Sequence, residues 1–183
     1  MKKLLSSVLI ACLWLATFSI VPASAAAPSN LNIVLQLDGI TGDSTIKGYE
    51  KWSIVTGASF SLSSLGSGTV GAGSGSSKVS LSELTITKAT DAASIPIMMT
   101  AMKGVHIPKG KLVFTRQDGT GSQFPYLVLE LEDVAITGYT FNDTDETVKL
   151  NYKKIKWTFW STDARGVRTP ITGGWDVKTN KAA

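Results

Sequence analysis

The stretch VKLNYKKIKWTFW, residues 148–160, alternates apolar and polar side chains along most of its length. The apolar members are Leu150, Tyr152, Ile155, Trp157 and Phe159, with lysines and threonines between them. A period of two is typical of a strand that has one buried and one hydrated face. The alternation slips by one residue at Lys153–Lys154. The stretch therefore predicts a long strand with a buried side.

Most segments on either side also have the composition or alternation of strands, and turn signals such as Asp38–Gly39 and DGTGSQ (118–123) separate them. In KVSLSELTITK the step from Leu81 to Leu84 breaks the alternation, which predicts a bulge near Ser82–Glu83. We expect seven or eight strands in all. The segments that predict strands are 31–37, 49–62, 78–88, 111–117, 126–141 and 148–160.

One helix is predicted, in SIPIMMTAMKG (94–104). Four of its apolar residues recur at helical spacing and are expected to pack against a sheet. They are Ile95, Met98, Met99 and Met102. Ser94 is expected to cap the start of the helix and Gly104 to end it. The chain is thus expected to be mainly β, a barrel or sandwich plugged by one short helix.

Residues 1–25 have the pattern of a Sec-type signal peptide: MKK, an apolar core, and a small-residue site at Ala23-Ser24-Ala25. We expect cleavage after Ala25, which leaves residues 26–183 as a single domain. The small-residue site argues against an uncleaved membrane anchor. Because the apolar core continues past Cys12, lipidation at that residue is not expected either.

Charge and cysteine content exclude several classes of protein. Cys12 is the only cysteine and leaves with the leader, so the mature chain has no disulfide and no thiol chemistry. Loss of Lys2 and Lys3 lowers the formal net charge from +4 to +2, which predicts neither nucleic-acid binding nor attraction to an anionic membrane. After the leader, no apolar run is long enough for a stable membrane span.

The stretch SLSSLGSGTVGAGSGSS, residues 61–77, is an excursion from this single fold. Within it, Gly66, Gly68 and Gly71 match the dinucleotide-binding fingerprint by letter, but that site needs a helix immediately afterwards, and here a strand follows. Lys78 follows a serine, so a Walker loop is also excluded. No cofactor is predicted.

No catalytic or metal-binding constellation is apparent. His106 is the only histidine, so neither a histidine-based zinc site nor a His/Cys nucleophile pair can form. Glu130, Glu132 and Asp133 are expected on a solvated face. The acidic segment 142–146 resembles the opening of a calcium loop but lacks the glycine and the distal glutamate that such a loop requires. It is therefore interpreted as a turn, with weak cation binding as the alternative. An enzyme is not predicted.

The order and spacing of several short segments resemble the hemolysin-coregulated protein family, Hcp, the tube subunit of type VI secretion systems. The resemblance covers essentially the whole mature chain. It rests on LQLDGITGDS (35–44), Ser59–Phe60 (with Ala58 in place of an aromatic), LTITKATD followed by the methionine-rich helix, YKKIKWTFW (152–160), and Gly174-Trp175-Asp176 with Asn180.

The resemblance implies an Hcp-like β-barrel of two antiparallel sheets with one short α-helix and a long extended Gly/Ser-rich loop. It also implies hexameric rings that stack into a hollow tube, with a spike protein and effector cargo as further partners. The loop would reach a neighbouring ring, with Gly/Ser backbone free to pair and two small apolar anchors. The interface candidates are Leu65, Gly66, Gly68, Val70, Gly71 and Gly73.

The leader departs from this family, whose tube subunits ordinarily lack one. We therefore expect export to the periplasm or the medium, and a self-assembling exported Hcp-like protein as the leading hypothesis. A type VI tube component or cargo is the second, and an enzyme or small-ligand barrel the third. Trp157 and Trp175 are expected to be core or interface anchors.

Overall fold

The computed structural model describes residues 31–64, 79–117 and 122–183. In these ranges the chain forms ten strands and one helix. They are β1 (Leu31–Leu37), β2 (Ser53–Ser59), β3 (Leu62–Ser64), β4 (Val79–Leu81), β5 (Leu84–Ala89), α1 (Ser94–Lys103), β6 (Ile107–Gln117), β7 (Gln123–Asn142), β8 (Asp145–Thr162), β9 (Arg168–Asp176) and β10 (Lys181–Ala182).

Six strands close into an antiparallel barrel in the order β8-β5-β2-β1-β6-β7, because β7 pairs again with β8. Strand β8 changes partner along its length: residues 145–150 pair with β5, and residues 154–162 pair with β9. The second half of β8 therefore leads out of the barrel into a hairpin with β9, and β10 continues that sheet. A separate two-stranded sheet joins β3 to β4.

The barrel interior is filled by the inward members of the alternating strands. Two of the most deeply buried pairs come from β5 and β8, where Leu84 lies opposite Leu150 and Ile86 opposite Val148. A smaller apolar cluster lies on the other face of the wall, where Ile46, Tyr49 and Trp52 pack over three valines. Those valines are Val34, Val113 and Val128.

The slip in the alternation of β8 is mirrored in β7. The buried positions step from Tyr152 to Ile155 in β8 and from Leu131 to Val134 in β7, while the register of the pair stays constant. Asp133, in the skipped position of β7, has a φ of 53°. Both strands thus change phase together, since otherwise one would turn its apolar side chains to water.

The predicted strands at 31–37, 111–117, 126–141 and 148–160 are confirmed, all but the first inside longer strands. The expected strand 49–62 is shorter, because Gly48 and Lys51 have positive φ and form a turn before β2. The expected total of seven or eight strands is wrong, since β9 and β10 were missed. Strand β9 contains Pro170 and two glycines, which are tolerated because its outer edge is paired only at its end. The leader and residues 118–121 lie outside the described residues.

Helix α1 has the predicted bounds and a left-handed Gly104 at its end, with a φ of 61°. The capping role predicted for Ser94 is wrong: Ala93 is the N-cap residue and no side chain caps the helix. Instead, the Ser94 hydroxyl is buried and accepts hydrogen bonds from the Asp91 amide at 2.9 Å and from Lys88 Nζ at 3.1 Å.

Candidate functional site

Strands β3 and β4 form a ribbon, here called the arm, that continues β2 and β5 beyond the barrel wall. The β2–β5 ladder ends at Ser59 and Thr85, and the arm begins at Leu62 and Leu81. The predicted bulge near Ser82–Glu83 coincides with this break, which lies between β4 and β5. The six predicted interface residues of the loop, within residues 65–73, lie between β3 and β4 in the sequence and outside the described residues.

The hairpin of β8 and β9 exposes apolar side chains on the face that lines the core further back. Phe159 and Ile171 lie opposite each other and are 43% and 60% exposed. Next to them, the ring of Phe60, at the base of the arm, lies 6.1 Å from that of Trp157. These four residues are called the hairpin surface. Exposed apolar side chains that lie together in this way make the hairpin surface a candidate for contact with a partner.

The two predicted tryptophan anchors lie on that same face. Trp157 and Trp175 are partly buried and pack against the core cluster, with Trp175 opposite Ile155 and Trp157 opposite Gly173. The Nε1 atom of each is buried without a hydrogen-bond partner among the described residues. Their contribution is therefore the apolar area of the rings, and their role as anchors is a proposal.

Arg168 fastens the start of β9 to β7. Its guanidinium donates a hydrogen bond to the Pro125 carbonyl and lies 4.8 Å from the centre of the Phe124 ring and 5.7 Å from that of Trp160. Guanidinium groups stack favourably on aromatic faces. The hairpin is therefore held against the barrel at the end that lies farthest from the core.

The methionine stripe of α1 is not packed against the sheet, contrary to the prediction. Ile95 and Met102 are 62% and 72% exposed, Met99 is also exposed, and Met98 is half-buried. Ala93 and Ile97 enter the core instead. Because α1 is apolar on more than one side, helical spacing alone could not identify the buried one. Ile95, Met99 and Met102, the helix stripe, are a second exposed apolar surface.

Helix α1 is joined to the barrel by a buried group of charges, the Lys88 cluster (Lys88, Asp91, Ser94 and Glu146). Lys88 Nζ lies 2.8 Å from Glu146 Oε2 and 2.9 Å from Asp91 Oδ1, and the Lys88 and Glu146 side chains are fully buried. The ammonium also donates to the Ala89 carbonyl at 2.9 Å. These bonds compensate the loss of hydration of the Lys88 ammonium, whereas Glu146 Oε1 is buried without a hydrogen-bond partner among the described residues.

The acidic turn predicted at 142–146 is confirmed at Asp143 and Thr144, which connect β7 to β8, but Glu146 at its end is buried in the Lys88 cluster. A signal was present: Lys88 continues the alternation of Leu84 and Ile86, which places it on the inward face. Burial raises the pKa of Glu146, but hydrogen bonds to Lys88 and Ser94 outweigh this and hold it below its ordinary value. Burial, a hydrogen bond to Glu146 and its charge raise the pKa of Tyr139 to about 12.

The other singled-out polar residues lie at the surface. His106 Nδ1 is 2.6 Å from Asp133 Oδ1, and this hydrogen bond lowers the pKa of Asp133. Glu130 is paired with Lys111 at 3.1 Å, and Glu132 with Lys154 at 3.3 Å. The glutamates thus belong to a lysine-bearing face along a groove of about 520 Å³, as expected of a solvated surface. In the described ranges, no three His, Cys, Asp or Glu residues are grouped to hold a metal ion.

The described residues thus form a closed antiparallel barrel with a projecting arm, an extended hairpin and two exposed apolar surfaces. The sequence matches the family described as Type VI secretion system effector, Hcp, over residues 34–159. The chain belongs to this Hcp family. It is 27% identical over 114 residues to the protein hcp1 of Pseudomonas aeruginosa, an alignment that covers 58% of this chain and 70% of the relative.

Solved structures agree with this assignment. A type six secretion system protein superposes with a TM-score of 0.73 at 28% identity, covering 84% of this chain and 99% of the other. Hcp1 from Salmonella typhimurium superposes with a TM-score of 0.66 at 24% identity over the same shares. The predicted family and the Hcp-like barrel fold are therefore confirmed. Within the described ranges, no helix combines the length and hydrophobicity needed to cross a bilayer.

Proposed function

We propose that this chain is a non-enzymatic structural subunit that self-associates into rings, hexameric by the family resemblance, which stack into tubes. The observation that carries the proposal is the hairpin surface. The apolar face of β8 continues past the closed barrel, so that Phe159 and Ile171 face solvent in the isolated chain. Burying such side chains against another copy removes apolar area from water, the main driving force of association.

Rings need two different surfaces on each subunit, because head-to-tail contacts join unlike patches. The helix stripe is a second candidate surface, and the Lys88 cluster holds α1 in place to present it. The arm supplies a third, since a two-stranded ribbon has unpaired backbone groups along its edges. We assign ring closure to the first two and ring stacking to the arm and the loop residues Leu65 to Gly73.

The test is the particle mass of purified protein by light scattering, with electron microscopy of the same sample. Ile171→Lys places a charge in the hairpin surface and is expected to reduce the particle to a monomer. Thr172→Lys adds the same charge to the opposite face of β9, where Thr172 lies across from Thr158, and is the matched control. A strictly monomeric wild-type particle at high concentration, or equal effects of the two variants, would reject the proposal.

A second candidate follows from the leader-like residues 1–25, namely an exported Hcp-like module that acts outside a contractile machine. Amino-terminal sequencing of the protein from the periplasm and medium tests it, with Ala26 as the expected first residue. An intact amino terminus in the cytoplasm favours a type VI tube subunit, with a spike protein and effector cargo as its partners.

A further inference from the structure

The arm is joined to the barrel at a point where the β-ladder is interrupted. The residues between the strands of the two ladders, 60–61 and 82–83, are called the joint. Ser59 pairs with Thr85 on the barrel side, and Leu62 pairs with Leu81 on the arm side. The register of strand pairing therefore shifts by one residue across the joint. A continuous ladder would fix the direction of the arm through regular backbone pairing. Here the direction depends on the few contacts made at the joint itself.

Ser82 makes most of the local contacts at the joint. Its hydroxyl accepts a hydrogen bond from the Ser61 amide at 2.7 Å and donates one to the Glu83 carbonyl at 3.1 Å, and its amide donates to the Ser61 carbonyl at 2.9 Å. These bonds hold the two segments of the joint, 60–61 and 82–83, together. They do not relate the joint to the barrel, because Ser61, Ser82 and Glu83 all belong to it.

A hydrogen bond from the barrel wall supplies that relation. The hydroxyl of Tyr152 donates to the Ser82 carbonyl at 3.1 Å across 70 residues of sequence. Tyr152 belongs to β8 and is only 4% exposed, within the main core cluster. Its ring is held in position by the core, so the hydroxyl is a fixed point against which the joint is oriented.

A second contact acts on the other segment of the joint, residues 60–61. The ring of Phe60, which directly precedes Ser61, lies 6.1 Å from that of Trp157 at an interplanar angle of 31°. Trp157 is five residues after Tyr152 in the same strand. Two residues of β8 therefore contact the two segments of the joint: Tyr152 through a hydrogen bond to Ser82, and Trp157 through its ring contact with Phe60. Two separated contacts restrain an angle, whereas a single contact leaves a pivot.

We infer that Tyr152 is a positioning residue, which through the Ser82 carbonyl sets the direction in which the arm leaves the barrel. The inference rests on the proposed function for its consequence, because a misdirected arm would meet a neighbouring copy at the wrong angle. A core tyrosine would thereby govern assembly without touching the partner.

The test is amide hydrogen exchange in Tyr152→Phe, which removes only the hydroxyl, at a concentration where light scattering shows one species. Exchange of the Ser61 and Ser82 amides is expected to become about two- to tenfold faster, the factor that corresponds to the net free energy of one hydrogen bond. The exchange rate of the Leu150 amide, in the core of β8, is expected to be unchanged. Tyr126→Phe is the matched control, since the Tyr126 ring lies beneath Arg116. It is expected to leave the joint unchanged.

Assembly is measured separately, and Tyr152→Phe is expected to raise the concentration needed for ring formation. Equally faster exchange at Leu150 would mean that the substitution destabilises the whole barrel. Unchanged exchange at Ser82 would mean that the Tyr152 hydroxyl does not stabilise the joint. Either result overturns the inference. If the wild-type protein never forms rings, the ring proposal fails while the exchange result still decides whether Tyr152 orients the joint.

Discussion

Lys88 Nζ lies 2.8 Å from Glu146 Oε2, and neither side chain is exposed to solvent. The two residues are 58 positions apart, one near the end of β5 and the other at the start of β8. Their contact joins the first turn of α1 to the barrel through Ser94.

Breaking the pair from one side is expected to be costly. Glu146→Gln keeps the shape but leaves Lys88 with Asp91 as its counter-charge, so the free energy of unfolding should fall by about 1.5–3 kcal/mol, as for a hydrogen bond between charged groups. Urea denaturation measures it. The exposed pair of Lys111 and Glu130 is the control, and Lys111→Met should cost less than about 1 kcal/mol. Similar losses in the two variants would contradict the structural role of the buried pair.

Stability should depend on pH through Glu146. Its pKa is lower in the folded protein than in the unfolded chain, where a glutamate titrates at about 4.3. The ionised carboxylate therefore contributes its full stabilisation above about pH 4.3, and this is lost as the pH falls through the folded pKa. Urea midpoints from pH 7 to 3 check this. The double variant Lys88→Met with Glu146→Leu should show a weaker decline, and an identical decline would refute the assignment.

The two faces of α1 should respond differently to truncation. Ile97→Ala removes a buried side chain of the core and should lower the free energy of unfolding by about 2–5 kcal/mol. Met102→Ala removes an exposed one and should change it by no more than about 0.5 kcal/mol. Thermal and urea unfolding of both variants measure the difference. The reverse order would mean that the helix stripe faces inward.

The tryptophans of the hairpin face should act through their rings. Trp157→Ala and Trp175→Ala are each expected to lower the free energy of unfolding by about 3–5 kcal/mol. Trp157→Phe should cost less than about 1.5 kcal/mol, because the Trp157 indole N–H has no hydrogen-bond partner among the described residues. Melting and particle mass are the measurements. Unchanged values in both alanine variants would exclude Trp157 and Trp175 as anchors.

The sequence by itself determined the strands of the barrel, though not β9 and β10, and the buried face of β8. Alternation of the kind seen at Leu150 and Tyr152 needs no partner to be recognised, because successive side chains of any strand point to opposite faces. The order of short motifs was also enough to identify the family. Local chemistry likewise located the end of α1 at Gly104.

Only the tertiary structure decided which apolar side of α1 is buried and which partner each half of β8 takes. The spacing of Ile95, Met99 and Met102 fits a helix equally well whether that side meets a core or water. The Lys88–Glu146 contact and the exposure of Phe159 and Ile171 likewise depend on where distant strands meet. Periodicity records the geometry of one element, whereas burial depends on how several elements are arranged around it.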